Sequence, residues 1–160
     1  MTQSPVTPAH PEPAARDPHE GKRAGLAYFN DAQQAFSAGN LKQAAELYRK
    51  AADTFERDPE LYLERAVANG QLGISLKAIG EMDEAADRLG RAIALFQQFP
   101  ENGDAAVSMG NCFWHIGEIN EEAGDFDAAR ISYNQAYSAY RTAPNTQELQ
   151  IEVLQKLRSI

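Results

Sequence analysis

The chain has 160 residues, of which 43% are apolar, 9% aromatic and 24% charged, enough for one domain with its own core and unlike a collagen, a coiled-coil rod or a wholly disordered tail. Fifteen Lys and Arg against 23 Asp and Glu give a net charge of -8, which argues against nucleic-acid phosphates or an anionic membrane as partner. The lone Cys112 cannot form an internal disulfide, no run of about 18 apolar residues occurs, and the N-terminus lacks the basic and apolar regions of a signal peptide. A soluble, cytoplasmic protein is expected.

Five of the eight prolines (Pro5, Pro8, Pro11, Pro13 and Pro18) fall in the first eighteen residues, among Ser, Thr and Ala with almost nothing apolar to bury. This composition predicts a disordered leader over 1–17, and its Pro5-Val6-Thr7-Pro8 pattern is common in any proline-rich stretch. Beyond it, helical periodicity predicts seven helices at 18–38, 41–57, 59–79, 82–98, 101–123, 126–142 and 146–158. Gly39, Gly80 and Gly124 stand 41 and 44 residues apart, and Pro59, Pro100 and Pro144 share those separations, each twenty residues after its glycine. Two helix-punctuating residues with one irregular spacing mark an internal repeat.

Within each unit the same positions recur. Two residues after the glycine come Leu41, Met82 and Phe126; five after, Ala44, Ala85 and Ala129; nine after, Tyr48, Leu89 and Tyr133. Twelve after are Ala51, Ala92 and Ala136, and sixteen after are Phe55, Phe96 and Tyr140. Steps of three and four define one helix face, on which alanines admit a close neighbour and the larger side chains fill the space between. Upstream, Ala32, Gly73 and Gly117 stand seven before the glycine, preceded by Tyr28, Asn69 and Phe113, so each unit reads helix, glycine turn, helix. The turn glycines suit the left-handed conformation that ends a helix, and Asn40 or Asp125 can cap the next. Asp58-Pro59 reads as a cap with proline at the first helical position; Asp17-Pro18 and Asn145-Thr146 read as similar helix starts.

These residues resemble the tetratricopeptide repeat, whose pattern is W-x2-L-G-x2-Y…A-x3-F…P. Unit two carries Asn69, Leu72-Gly73, Leu76, Ala85, Leu89 and Pro100; unit three carries Phe113, Ile116-Gly117, Asn120, Ala129, Tyr133 and Pro144. Unit one carries Tyr28, Asp31-Ala32, Ala35, Ala44, Tyr48 and Pro59. The periods of 41 and 44 exceed the usual repeat by about two helical turns, as in the long-repeat branch found in kinesin light chains and bacterial peptide-sensing regulators. The resemblance implies an all-α, right-handed solenoid with repeats at 18–58, 59–99 and 100–145. Residues 146–160 would form a capping helix, with Leu149, Val153 and Leu157 spaced by fours. That helix could equally pair with a second copy, giving a homodimer.

The resemblance also implies a protein-binding groove lined by the first helices. Counted from the family's contact positions, the groove residues are Phe29, Asn30, Gln33 and Phe36 in unit one, beside Leu26 and Ser37. Unit two contributes Gln71, Ile74 and Lys77, beside Val67, Gly70 and Ala78, and unit three Asn111, Trp114, His115, Glu118 and Glu121, beside Glu122. The Lys, Asn and Arg clamp that chaperone-binding members use for a C-terminal carboxylate is missing. Phe29, Phe36, Ile74 and Trp114 are expected to form an apolar strip flanked by amides. No Lys or Arg lies between Arg91 and Arg130, whereas Glu101, Asp104, Glu118, Glu121, Glu122, Asp125 and Asp127 are all acidic, so the expected ligand is an apolar protein segment with basic flanks.

Chemistry is not expected. Cys112 and His115 are three apart on one helix but have no third group to orient them, and the repeat accounts for both as structure. With His10 and His19 in or beside the leader, no four-ligand zinc site can be assembled, and no phosphate-binding glycine loop is present, so neither metal nor cofactor is expected. The reading is a non-enzymatic interaction adaptor. The alternatives are a chaperone resembling those of type III secretion translocators, of similar size and acidity, and a self-associating structural subunit.

Overall fold

A computed structural model describes residue 17 and residues 19–160; the proline-rich leader, apart from Asp17, lies outside the described residues. Seven helices follow one another without strands among those residues: α1 (Glu20–Ser37), α2 (Leu41–Glu56), α3 (Tyr62–Ala78), α4 (Met82–Phe96), α5 (Gly103–Glu122), α6 (Phe126–Arg141) and α7 (Gln147–Ser159). They pack as the pairs α1/α2, α3/α4 and α5/α6, each second helix carrying the first helix of the next pair and α6 carrying α7.

The three glycine turns are copies of one another. Gly39 N–H donates to the Phe36 carbonyl and Asn40 N–H to that of Ala35, and the same bonds recur from Gly80 and Glu81 and from Gly124 and Asp125. This double closure of a helix end needs a left-handed residue at its centre, and the glycines supply it with φ of 82°, 87° and 78°. The helix starts are less uniform than expected. Asp125 caps α6 by accepting the Ala128 N–H at 3.0 Å, whereas Asn40 makes no side-chain cap bond. Pro59 is not the first residue of α3: Asp58 accepts the Glu60 N–H at 3.0 Å, and Leu61 N–H reaches the Asp58 carbonyl, so a turn closes around the proline and the helix begins at Tyr62. Asn102, absent from the expected caps, holds the Ala105 N–H at the start of α5. Thr146 does not cap α7; its hydroxyl donates to the Tyr140 carbonyl at 2.6 Å and ties the last loop to α6.

The alternation of small and large residues builds the core. Ala44, Ala51, Ala85, Ala92, Ala129 and Ala136 are fully buried, and Tyr48, Leu89, Tyr133, Phe55, Phe96 and Tyr140 are nearly so. The position two after each glycine departs from this: Leu41 and Met82 are half-buried, but Phe126 is exposed. Within a pair, the two helices cross where a large side chain faces a residue with little or no side chain. A Cβ at Gly117 would lie 2.6 Å from the Tyr133 ring, and one at Gly110 would lie 2.4 Å from that of Tyr140. In α7, buried Val153, with Leu149, Leu157 and Ile160, covers Ala129, Tyr133, Ala136 and Tyr140 at the open end of the third pair.

Candidate functional site

The first helices α1, α3 and α5 lie side by side and line one face, tied across by Lys22–Glu64 at 3.2 Å and Lys77–Glu118 at 2.5 Å. The expected apolar strip is present but half-submerged. Phe29 packs edge-on against Tyr48 with centroids 5.2 Å apart, Trp114 leans on Tyr133 at 5.1 Å, and Phe36 and Ile74 rest partly buried on the core. Asn30 and Gln33 are exposed, Gln71 is half-buried, and Asn111 is exposed but accepts the Tyr140 hydroxyl at 2.6 Å. Gln71, Ile74 and Asn111 share a narrow cleft of about 50 Å³ between α3 and α5.

A more exposed apolar group on this face lies in the first halves of α1 and α3. Leu26, Leu63 and Val67 are 36–39% exposed and, with Phe29 and buried Phe55, bound a cleft of about 220 Å³. Leu63 was not among the expected contacts because it stands ahead of the first groove position of its unit. The lengthened repeat period was its only sequence signal.

Between residues 100 and 145 seven carboxylates face two arginines, so most of the net charge sits in the third unit. The groove carboxylates are nonetheless paired within the chain. Glu118 meets Lys77 and lies 3.0 Å from His115 Nδ1; Glu121 accepts the Tyr133 hydroxyl at 2.7 Å and pairs with Lys156 of α7 at 3.0 Å. A partner's cation must compete with these lysines at Glu118 and Glu121. Glu101, Asp104 and Glu122 make no ion pair among the described residues.

Burial alone would push the Glu118 carboxyl up, but hydrogen bonds from His115 and Lys77 and the Lys77 charge outweigh it and hold it at about 2, below its usual 4.5. A carboxyl depressed by folding contributes stability above its unfolded value, and that contribution is lost as pH falls from about 5 toward about 2. Glu118→Gln is therefore expected to lower the urea midpoint at pH 7 and to flatten its decline across that interval. Parallel declines in the two chains would refute this origin.

Cys112 and His115 do not work as a pair. The thiol is 2% exposed and faces Gly70, and burial pushes it up to about 12, so it stays protonated at neutral pH. His115 is turned to Lys77 and Glu118. Among the described residues no group of three or more His, Cys, Asp or Glu is placed to hold a metal ion.

A sequence profile of the tetratricopeptide repeat family matches residues 64–142, spanning the second and third helix pairs whose glycine turns and helix crossings have just been described. Residues 64–142 carry tetratricopeptide repeats. The first helix pair has the same turn and the same crossing, with Gly25 against Phe55. The fold is similar to that of a crystal structure of MamA, with a TM-score of 0.55 and 20% identity over 89% of this chain and 77% of that one, which supports the right-handed solenoid. A second MamA structure aligns at a TM-score of 0.38 and 18% identity over 86% of this chain and 90% of that one. No curated protein matches the sequence significantly. Tetratricopeptide-repeat proteins are typically non-enzymatic and bind protein partners. No helix among the described residues is long and apolar enough to cross a membrane.

Proposed function

We propose that this protein is an interaction scaffold that holds a segment of a partner protein on the face of α1, α3 and α5. In this reading 18–58, 59–99 and 100–145 are the binding repeats and 146–160 is their cap. The supporting observation is the composition of that face: exposed Leu26, Leu63 and Val67 stand beside the exposed amides of Asn30 and Gln33. Apolar side chains set among amides suit a peptide segment, which brings both side chains to bury and backbone groups to hydrogen-bond. The unpaired carboxylates of the third unit favour basic residues flanking the apolar part of the partner. A photo-crosslinking residue placed at Asn30 or Gln71 should capture the partner chain in the native host, and one at Asp87 on the outer face of α4 should capture none. Capture at Asp87 alone would overturn the proposal.

A second reading, self-association, is favoured by the outer face of α7, where Ile151 and Leu154 are 54% and 39% exposed one turn apart. Light scattering separates the two. The double substitution Ile151→Glu with Leu154→Glu should reduce the mass of a self-associating chain, and an unchanged mass removes this reading.

A further inference from the structure

The cleft between α1 and α3 is built differently from the rest of the binding face. Leu26 and Phe29 form one wall, Leu63 and Val67 the other, and Phe55 of α2 forms the floor. Phe55 reaches this depth because α1 has Gly25 at the crossing, where a Cβ would lie 2.3 Å from the ring. Four apolar side chains around an aromatic floor leave water few hydrogen-bond partners, which favours an apolar occupant. The volume sets the size of that occupant. Pockets that enclose a small molecule run from about 300 to 1,000 Å³. At about 220 Å³ this cleft falls below that range and suits a single large side chain.

Its position in the sequence adds a second point. Leu63 and Glu64 stand seventeen and sixteen residues before Gly80, ahead of the first groove position of the unit, Val67, which is thirteen before. Leu63 and Glu64 belong to the extra helical turn that lengthens this repeat, and they extend the wall beyond Val67. The added turn therefore supplies a surface that the shorter repeat's contact positions do not include.

Charge at the rim narrows the occupant further. Lys22 pairs with Glu64 across the mouth, and Arg65 is turned away to Glu56. Beyond the rim, Tyr62 at the start of α3 meets Phe99 just ahead of α5 with centroids 6.4 Å apart, and at that junction Glu60, Glu101 and Asp104 stand exposed and make no ion pair among the described residues. All three are negative, and the one nearby lysine is already engaged.

We propose that this cleft is an anchor pocket for one leucine-sized or aromatic side chain of a partner protein segment, whose adjacent lysine or arginine lies against Glu60, Glu101 and Asp104. The proposal rests on the reading that the α1, α3 and α5 face binds protein. It adds where the segment is anchored and by what chemistry.

The probe is a phage library of random dodecapeptides selected against the full chain, with enriched peptides synthesised and titrated. The peptides should share a large apolar residue with Lys or Arg within a few positions of it. Replacing that residue by Ala should weaken binding about tenfold or more, as should Leu63→Asp or Val67→Asp in the protein with its melting temperature unchanged. The alanine peptides carry the test even where a protein variant is unstable. Peptides weakened by Gln71→Arg but indifferent to Leu63→Asp and Val67→Asp would overturn the anchor pocket and leave the binding face standing. Peptides indifferent to all three variants, or no enrichment over an unrelated control protein, would overturn both.

Discussion

Gly117→Val is expected to lower the unfolding free energy by about 3 kcal/mol and the melting temperature by about 10 °C. The first added carbon would fall 2.6 Å from the Tyr133 ring, well inside van der Waals contact. Tyr133 has no room to yield, because its hydroxyl is bonded to Glu121 at 2.7 Å, its ring meets Trp114 at 5.1 Å, and it is wholly buried. Relief must come from spreading α5 and α6, which loosens the packing along both helices. Gly90 provides the control. It lies on the exposed side of α4 with nothing within 4 Å of a built Cβ, so Gly90→Ala removes only the helix penalty of glycine and should stabilise by about 0.5–1 kcal/mol. Thermal and urea unfolding followed by circular dichroism gives both signs. A Gly117→Val chain within about 0.5 kcal/mol of wild type would show that the helix crossing is not as tight as described.

How much of this could be read in the sequence depended on the distance over which each feature is determined. The helices, their turns and their buried faces are fixed within about twenty residues by the 3.6-residue period and by glycine's access to positive φ. Gly39, Gly80 and Gly124 therefore landed where expected, as did the Ala and aromatic register from Ala44 to Tyr140. The close crossings at Gly25 and Gly110 were legible in principle, since both stand fourteen before a turn glycine, as does buried Ala66. Groove electrostatics were less accessible. Glu118 and Glu121 read as free acids because their partners, Lys77 and Lys156, are 41 and 35 residues away. Separations near one repeat period point to such cross-groove pairs, but which of them close depends on how far successive pairs rotate, and only the folded chain fixes that rotation. The apolar cleft was missed for the same reason: Leu26 and Leu63 face each other across it only through the stacking of α1 on α3. Local sequence also misjudged Pro59, where the Asp58 side chain closes a turn before the helix can begin.

Asn69→Leu should destabilise the chain by about 3 kcal/mol despite adding apolar surface to a site that is fully buried. The reason lies in the seam between the first two pairs. The Asn69 amide donates to Glu56 at 3.1 Å and to the Arg65 carbonyl at 2.8 Å, and its oxygen accepts from Arg88 at 3.1 Å. Leucine would remove one of two side chains that donate to the Glu56 carboxylate and, among the described residues, the only hydrogen-bond acceptor of Arg88, whose side chain is 13% exposed and whose Nε has no bonded partner among them. A charge so buried and so sparsely paired makes the loss larger than that of an ordinary hydrogen bond. In the third unit the corresponding positions are Phe113 and Ser132, so the same seam can be built without the pair. It follows that Arg88→Met should relieve most of the damage in the Asn69→Leu background, while costing stability on its own by leaving the Asn69 oxygen unbonded. A double-mutant cycle should thus return a coupling energy of about 2–3 kcal/mol. Strictly additive losses would place the cost of Asn69→Leu in packing and not in the stranded guanidinium, and would leave the polar seam with no energetic role of its own.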